Sequence, residues 1–286
     1  VISILSPFCG TCEFCLSGHM SVCHTQNGDV FRRGESDPQR LSVGDTPVSQ
    51  FLHLSSFAER LLVHENALCK IDPEMPMDRA CLIGCGVITG VGSVFHAAQV
   101  RPGSTVAVIG CGGVGLSTIN GADIAGAGRI IAVDLEPQKL ALARKFGATD
   151  TVNASEGDPV EQVRELTGGG VDFAFEAIGL KTTADQSVQM LRPRGVATII
   201  GMIPIGTNIE VHGIELMVQE KRLQGAVMGS NRFRIDFPQL IKFYQQGKLR
   251  LDDLISDRIG LEGVTGALQN LKDNKGSVAR QVIVFD

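Results

Sequence analysis

Residues 104–134 constrain the fold more than any other stretch. STVAVIG (104–110) is a short β-branched run that reads as a buried strand. It enters the glycine-rich turn GCGGVG, which opens a helix of small residues, LSTINGADIAGAG, and a second strand follows as RIIAVD (129–134). The rhythm then continues through PQKLALARKFG, with Pro137 at a helix's first turn, and DTVNAS, PVEQVRELTG, VDFAFEAIG, ADQSVQMLRPRG and VATIIGM. Strands alternating with helices at this spacing predict an α/β fold, a doubly wound parallel sheet covered by helices on both faces.

Gly110, Gly112 and Gly115 satisfy G-x-G-x-x-G, with Gly113 and Val114 between them, and Asp134 closes the next strand nineteen residues after Gly115. Such glycines alone often mark only a tight turn. Following a strand, opening a helix and preceding an acidic residue, they predict a Rossmann-type dinucleotide site. Gly110 permits the turn, Gly112 lets backbone approach a pyrophosphate, and Gly115 lets the helix pack close to the sheet. The helix N-terminus meets the phosphate charge. Asp134 is expected to accept from the adenosine ribose hydroxyls and to repel a 2′-phosphate, which favours NAD over NADP.

A second feature lies near the start, where FCGTCEFCLSGHMSVC places Cys9, Cys12, Cys15 and Cys23 within fifteen residues. In a small secreted protein this spacing would suggest disulfides. Here the other four cysteines (Cys69, Cys81, Cys85 and Cys111) are scattered through a 286-residue chain of net charge −5. A reducing compartment leaves thiolates free, and four of them hold zinc tetrahedrally. A site of four cysteines leaves the ion no open position, so this zinc is expected to be structural and the chemistry to lie elsewhere.

Composition narrows the partners. The negative net charge provides no footprint for nucleic acid or an anionic membrane, and one Tyr with no Trp leaves few stacking surfaces. One stretch, ACLIGCGVITGVGSVFHAAQV (80–100), has the length and apolarity of a membrane span. Its crowded glycines and the lack of a basic or aromatic flank favour a glycine-broken buried turn and helix. The opening VISILSPF has no basic n-region and reads as a β-strand entered partway, so the chain is expected to be the remainder of a longer one.

These residues together resemble the zinc-containing medium-chain alcohol dehydrogenases. The likeness rests on the four-cysteine lobe, on CLIGCGVITGVGS (81–93), on GCGGVG with AVD, and on GSVARQVIVF near the C-terminus. The long loop between Cys23 and FLHLSSFAERLLV is similar to that of the classical alcohol dehydrogenases and the glutathione-dependent formaldehyde dehydrogenases. The resemblance implies that Cys85 ligates a catalytic zinc and that Cys81 is core. It places Thr89 beside the nicotinamide, Ile178 at the cofactor, Lys139 near the adenosine ribose and Arg280 at the pyrophosphate. Ile200, Ala226 and Met228 would hold the carboxamide through their backbone. Leu5, Phe51, Leu52 and Met202 would wall the alcohol pocket. Without the resemblance, Lys139 and Arg280 read as solvated charges and the apolar residues as core.

The implied reaction is hydride transfer between an alcohol or aldehyde and NAD, with zinc polarising the alcohol oxygen. The family's other catalytic-zinc ligands include a histidine in a Gly-His-Glu context. None of His19, His24, His53, His64, His96 or His212 has that context, and His53 reads as a pocket or surface residue. One thiolate cannot fix tetrahedral zinc, so these 286 residues acting alone are expected to show little or no turnover. An inert NAD-binding zinc module and a thiol-dependent formaldehyde dehydrogenase relative are the alternatives; Arg32, Arg33 and Arg40 are read as loop arginines. The expected organisation is a partial, mostly β, GroES-like catalytic domain with the four-cysteine zinc lobe (1–86), a nucleotide domain (87–228), and a return to the catalytic domain (229–286). The strand RLQGAVMG (222–229) would end the nucleotide sheet with an open edge, which in the family joins subunits into a homodimer or homotetramer. A cytoplasmic location completes the expectation.

Overall fold

The computed structural model describes residues 1–23, 40–51, 54–273 and 279–285. Its centre is a six-stranded sheet of β5 (Thr105–Ile109), β6 (Arg129–Asp134), β7 (Asp150–Asn153), β8 (Val171–Glu176), β9 (Leu191–Ile199) and β10 (Arg222–Gly225). The strands lie in the order β10-β9-β8-β5-β6-β7, and every pairing is parallel. The order reverses at β5, so the crevice between the ends of β5 and β8 is the topological switch point where α/β sheets bind ligands.

Strand alternation distributes the core between the two faces. Val106, Val108, Ile130 and Ala132 pack into one cluster, and Ala107, Ile109, Ile131 and Val133 into the other. All eight are at most 2% exposed. A side chain of this size contributes about 1.5–3 kcal/mol when fully buried, which accounts for the near-continuous apolar runs.

Four elements depart from the expectations. The glycine-containing stretch is not broken, because Met77–Ala98 forms one continuous helix. Gly84, Gly86, Gly90 and Gly92 are absent from the positive-φ positions and keep helical backbone. Their function is close approach. A Cβ on Gly90 would lie 2.6 Å from the backbone of Val114 and Thr118, and one on Gly92 would lie 2.5 Å from the Gly229 carbonyl. The helix is long and apolar enough to cross a membrane, but much of it is buried against the nucleotide sheet's own helix. The expected domain boundary at 86/87 falls inside it.

The opening strand, β1, is only Ile2–Ser3, paired antiparallel with β4 (Leu68–Cys69). The strand from RLQGAVMG stops at Gly225, because Met228 and Gly229 turn to positive φ. β9 starts at Leu191, ahead of VATIIGM, with Arg194 at φ 65° beside a register shift against β8. A hairpin of β2 (Leu41–Val43) and β3 (Thr46–Val48) completes the N-terminal part.

The tail returns across the molecule. Helix Phe233–Gln245 sets Phe233 against Phe8, with ring centroids 5.6 Å apart, and Arg234 lies 5.1 Å above the Phe8 ring. Asn120, fully buried in helix Gly113–Ile124, bonds the Lys248 carbonyl and the Arg250 amide. Strand β11 (Ile255–Ile259) pairs parallel with β12 (Arg280–Ile283), and helix Val264–Asp273 lies between them in sequence.

An ion-pair network fastens this tail to the long helix. Asp78 accepts from Arg79 and Arg258, and Arg79 also reaches Asp252 at 2.8 Å. The Arg79 guanidinium, joined by Arg258, holds the Asp78 carboxyl below its usual range despite partial burial. A depressed carboxyl contributes stability above its unfolded value and loses it as pH falls. Asp78→Asn is therefore expected to cost about 1 kcal/mol near pH 7. In a thermal melt the deficit relative to wild type should narrow as pH falls below about 4; a deficit that widens there would contradict the network.

Candidate active site

The glycine-rich loop leaves β5 with Gly110 at φ 95°. A Cβ at Gly115 would overlap the Gly110 carbonyl oxygen, so helix Gly113–Ile124 meets the loop backbone to backbone. The Cβ direction of Gly110 is filled by Ile178 and that of Gly113 by the Arg280 guanidinium. At Gly112 nothing lies within 4 Å. Of the Cβ directions of Gly110, Gly112, Gly113 and Gly115, only that of Gly112 is open. Val114 directs its carbonyl to the Thr118 hydroxyl, 3.0 Å away.

Arg280 brings charge to that opening. Its guanidinium rests on Gly113 at the helix N-terminus and also lies 3.1 Å from a Cβ built on Gly86. Its hydrogen bond is to the Ala279 carbonyl, and among the described residues it makes no ion pair with a carboxylate. Burial lowers its proton affinity, while the neighbouring Cys85 thiol works the other way. A half-buried guanidinium beside a helix N-terminus over an open glycine is a cradle for a pyrophosphate. The donor set fits the phosphate end of a dinucleotide.

Asp134 ends β6. Its Oδ2 accepts from the Cys111 amide at 2.7 Å, its Oδ1 accepts from the Glu136 amide at 3.1 Å, and Lys139 Nζ stands 4.0 Å from Oδ1. The carboxylate therefore braces the glycine-rich loop, a task the sequence did not reveal. It remains at the strand end where a ribose would lie.

Across the switch point, Thr89 is buried with Oγ1 3.7 Å from Met228 Sδ. Met228 has φ 49°, Ala226 donates its amide to the Ile199 carbonyl, and Ile200 donates its own to the Glu176 carbonyl. The structure gathers Thr89, Ala226 and Met228 around the turn that follows β10, with Ile178 and Ile200 on the loops after β8 and β9. Sequence reasoning missed Glu176. A carboxylate ending the apolar strand VDFAFE just before a glycine turn was the available signal.

Cys85 opens onto a cavity of about 380 Å³ lined by Leu82, Gly86, Leu268, Arg280 and Phe285 among others. Cys81, expected in the core, is exposed and lines the same cavity one turn away. Cys85 lies in the π-type turn Ile83–Val87 and Cys81 in the helical segment Met77–Leu82 just before it. Each thiol still sits deep enough in apolar surroundings for burial to raise its pKa, with Arg280 opposing at Cys85. Leu5, Phe51 and Met202 do not line this cavity; Phe51 and Met202 are 70% and 93% exposed. Leu52, His53, His24, Arg32 and Arg33 lie outside the described residues.

Cys9, Cys12, Cys15 and Cys23 converge. The sulfurs are separated by 3.5 Å (Cys12–Cys15), 3.6 Å (Cys9–Cys23), 3.8 Å (Cys12–Cys23) and 3.9 Å (Cys9–Cys15). Four sulfurs about 2.3 Å from one zinc ion stand about 3.8 Å apart in a tetrahedron, so the set fits zinc and is too wide for disulfides. The Thr11 hydroxyl and amide with the Cys12 amide draw the Cys9 thiol down to about 5, whereas burial pushes Cys15 up to about 12. A central cation lets all four ionise together. Among the described residues this is the only group of three or more potential ligands that converges, and Cys85 is not joined by two more.

A model of zinc-binding dehydrogenases matches residues 113–246. The chain is 36% identical over 281 residues to a probable S-(hydroxymethyl)glutathione dehydrogenase 1 of Schizosaccharomyces pombe, covering 96% of this chain and 73% of that protein. The chain belongs to the zinc-containing medium-chain alcohol dehydrogenases. Among solved structures, an alcohol dehydrogenase zinc-binding domain protein from Burkholderia ambifaria superposes with a TM-score of 0.91 at 34% identity, covering 100% of this chain and 77% of that one. Benzyl alcohol dehydrogenase from Acinetobacter calcoaceticus gives 0.89 at 32% identity, covering 99% and 77%. The convergence of the four sulfurs agrees with membership of a zinc-containing family.

Replacing Cys12 and Cys15 together by Ser should lower bound zinc by about one ion per chain and reduce the thermal midpoint. Metal analysis of the purified protein reads this directly; zinc content equal to that of wild type would contradict the assignment.

Proposed function

We propose that this chain is part of the machinery of a zinc- and NAD-dependent oxidoreductase that exchanges hydride between an alcohol and its aldehyde or ketone. The observation that carries the reading is Arg280. It comes from the last strand, lies over Gly113, and faces the same cavity as Cys85, so one guanidinium links the nucleotide cradle to the thiol expected at the reacting end. In this reading Gly110, Gly112, Gly113, Val114 and Gly115 receive the pyrophosphate, Asp134 and Lys139 the ribose, and Thr89, Ile178, Ile200, Ala226 and Met228 the nicotinamide. Bound NAD supplies the hydride acceptor. The protein residues orient it and exclude water.

The catalytic metal does not fit the described residues equally well. Cys85 alone does not hold a tetrahedral ion, so the tasks assigned to these residues are binding and orientation. The relatives acting on S-(hydroxymethyl)glutathione and on benzyl alcohol support a small alcohol or adduct as substrate. Eight cysteines with no disulfide among them support the reducing cytoplasm.

Edge strand β10, with exposed Met202, Ile205, Ile214, Met217 and Val218 near it in sequence, supports pairing of two copies by sheet extension. Light scattering is expected to give about twice the chain mass or a multiple of it; a monomer would exclude this assembly. Calorimetric titration is expected to show NAD binding, weaker NADP binding, and an NAD affinity reduced about tenfold or more in Arg280→Ala. Absence of NAD binding by wild type would overturn the function, and tighter binding of NADP would overturn the assigned role of Asp134.

A further inference from the structure

We propose that Glu176 is a positioning residue for the nicotinamide end of the cofactor, clasping the loops that follow β8 and β9 into one platform. The inference rests on the NAD-binding reading above and assigns a task to a residue that touches no cofactor atom.

Glu176 is fully buried at the end of β8, level with Ile109 of β5 on one side and Ile199 of β9 on the other. Its Oε1 accepts from the Ile178 amide at 2.9 Å, the Gly179 amide at 2.7 Å and the Thr183 hydroxyl at 2.7 Å. Its main-chain carbonyl accepts from the amides of Ile200 and Gly201, at 2.9 and 3.0 Å. One residue therefore fixes the loop after β8 through its carboxylate and the loop after β9 through its backbone. The next residue, Ala177, donates to the Ile109 carbonyl at 2.9 Å and adds the end of β5.

The glycines around this clasp admit no side chain. A Cβ on Gly201 would overlap the Gly179 nitrogen and lie 2.5 Å from Glu176 Oε2, and one on Gly179 would lie 2.6 Å from the Met202 carbonyl oxygen. The two loops interlock around the carboxylate. Glu176 Oε2 has no hydrogen-bond partner, although it is buried. A carboxylate held in so dry a place is costly unless donors are arranged around it, and here all three are gathered on Oε1.

The consequence is local. Ile178 closes over Gly110, with its Cγ1 2.5 Å from the built Cβ there, and its amide is one of the three donors. Loss of the acceptor frees Ile178 and Gly179 while leaving Gly112, Gly113 and the Arg280 cradle untouched. The nicotinamide half of the site should loosen and the adenosine–pyrophosphate half should not.

Titration of the full chain with NADH and with ADP-ribose, which lacks the nicotinamide, separates these halves. Glu176→Ala is expected to weaken NADH about tenfold or more, the scale of losing a buried charged acceptor, with ADP-ribose affinity within about twofold of wild type. Glu176→Gln keeps an acceptor oxygen and should restore NADH to within about threefold. Equal weakening of both ligands in Glu176→Ala, or no weakening of NADH, would overturn the proposal. If Glu176→Ala does not fold, Thr183→Val removes one donor and should weaken NADH about two- to fivefold with ADP-ribose unchanged; unaltered NADH binding would then overturn it. A wild-type chain that binds neither ligand would refute the NAD-binding reading and this inference with it. Wild-type binding with insensitive variants would refute the inference alone.

Discussion

Backbone contact at the start of helix Gly113–Ile124 sets the geometry of the nucleotide region. Only hydrogen fits between the Gly115 α-carbon and the Gly110 carbonyl, so the helix axis is drawn down onto the end of β5. That approach aims the free amides of the helix's first turn at the switch point, where β8 diverges from β6. The neighbouring helix repeats the device. Gly90 lets Met77–Ala98 touch the backbone of Val114 and Thr118, and Gly92 lets it touch Gly229. Substituting a larger residue at any of these positions would force whole elements apart.

Electrostatics follow from that packing. The positive helix end, the Arg280 guanidinium and the absence of a carboxylate partner for Arg280 among the described residues concentrate one sign of charge on Gly112 and Gly113. The acidic group nearest in the motif, Asp134, is committed to the Cys111 and Glu136 amides, which keeps it at the edge of that field. A carboxylate directed at the cradle would cancel it. The zinc lobe contributes by scaffolding. Phe8, immediately before Cys9, is sandwiched by Phe233 and Arg234 of the tail, and the Asn66 side chain holds its carbonyl at 2.8 Å.

Much of this was legible because it is periodic or closely spaced. The β-branched runs of β5 and β6, the G-x-G-x-x-G turn and the four cysteines each signal through neighbours in sequence. What stayed hidden depends on distant partners. The glycines of residues 84–92 read as helix breakers, yet tertiary contacts with Val114, Thr118 and Gly229 make them a packing surface. Cys81 was placed in the core because it matches no ligand of the family motif, while the helix turns it outward into the cavity with Cys85. Arg280 lies 167 positions after Gly113, and only the resemblance to a family placed the two together before the fold did. Glu176 was overlooked because a lone acidic residue in an apolar strand carries no spacing signal.

The unbroken helix Met77–Ala98 has a mechanical consequence. Cys85, Thr89 and the glycine seats at 90 and 92 all ride on a single rod, whose far end is pinned where His96 meets Asp236 at 3.1 Å. The Cys85 thiol and the Thr89 hydroxyl cannot drift independently, since a rigid strut fixes their spacing. Any hinge that opens or shuts the crevice must therefore bend elsewhere, in the connections on either side of this beam, and carry both groups along as one load.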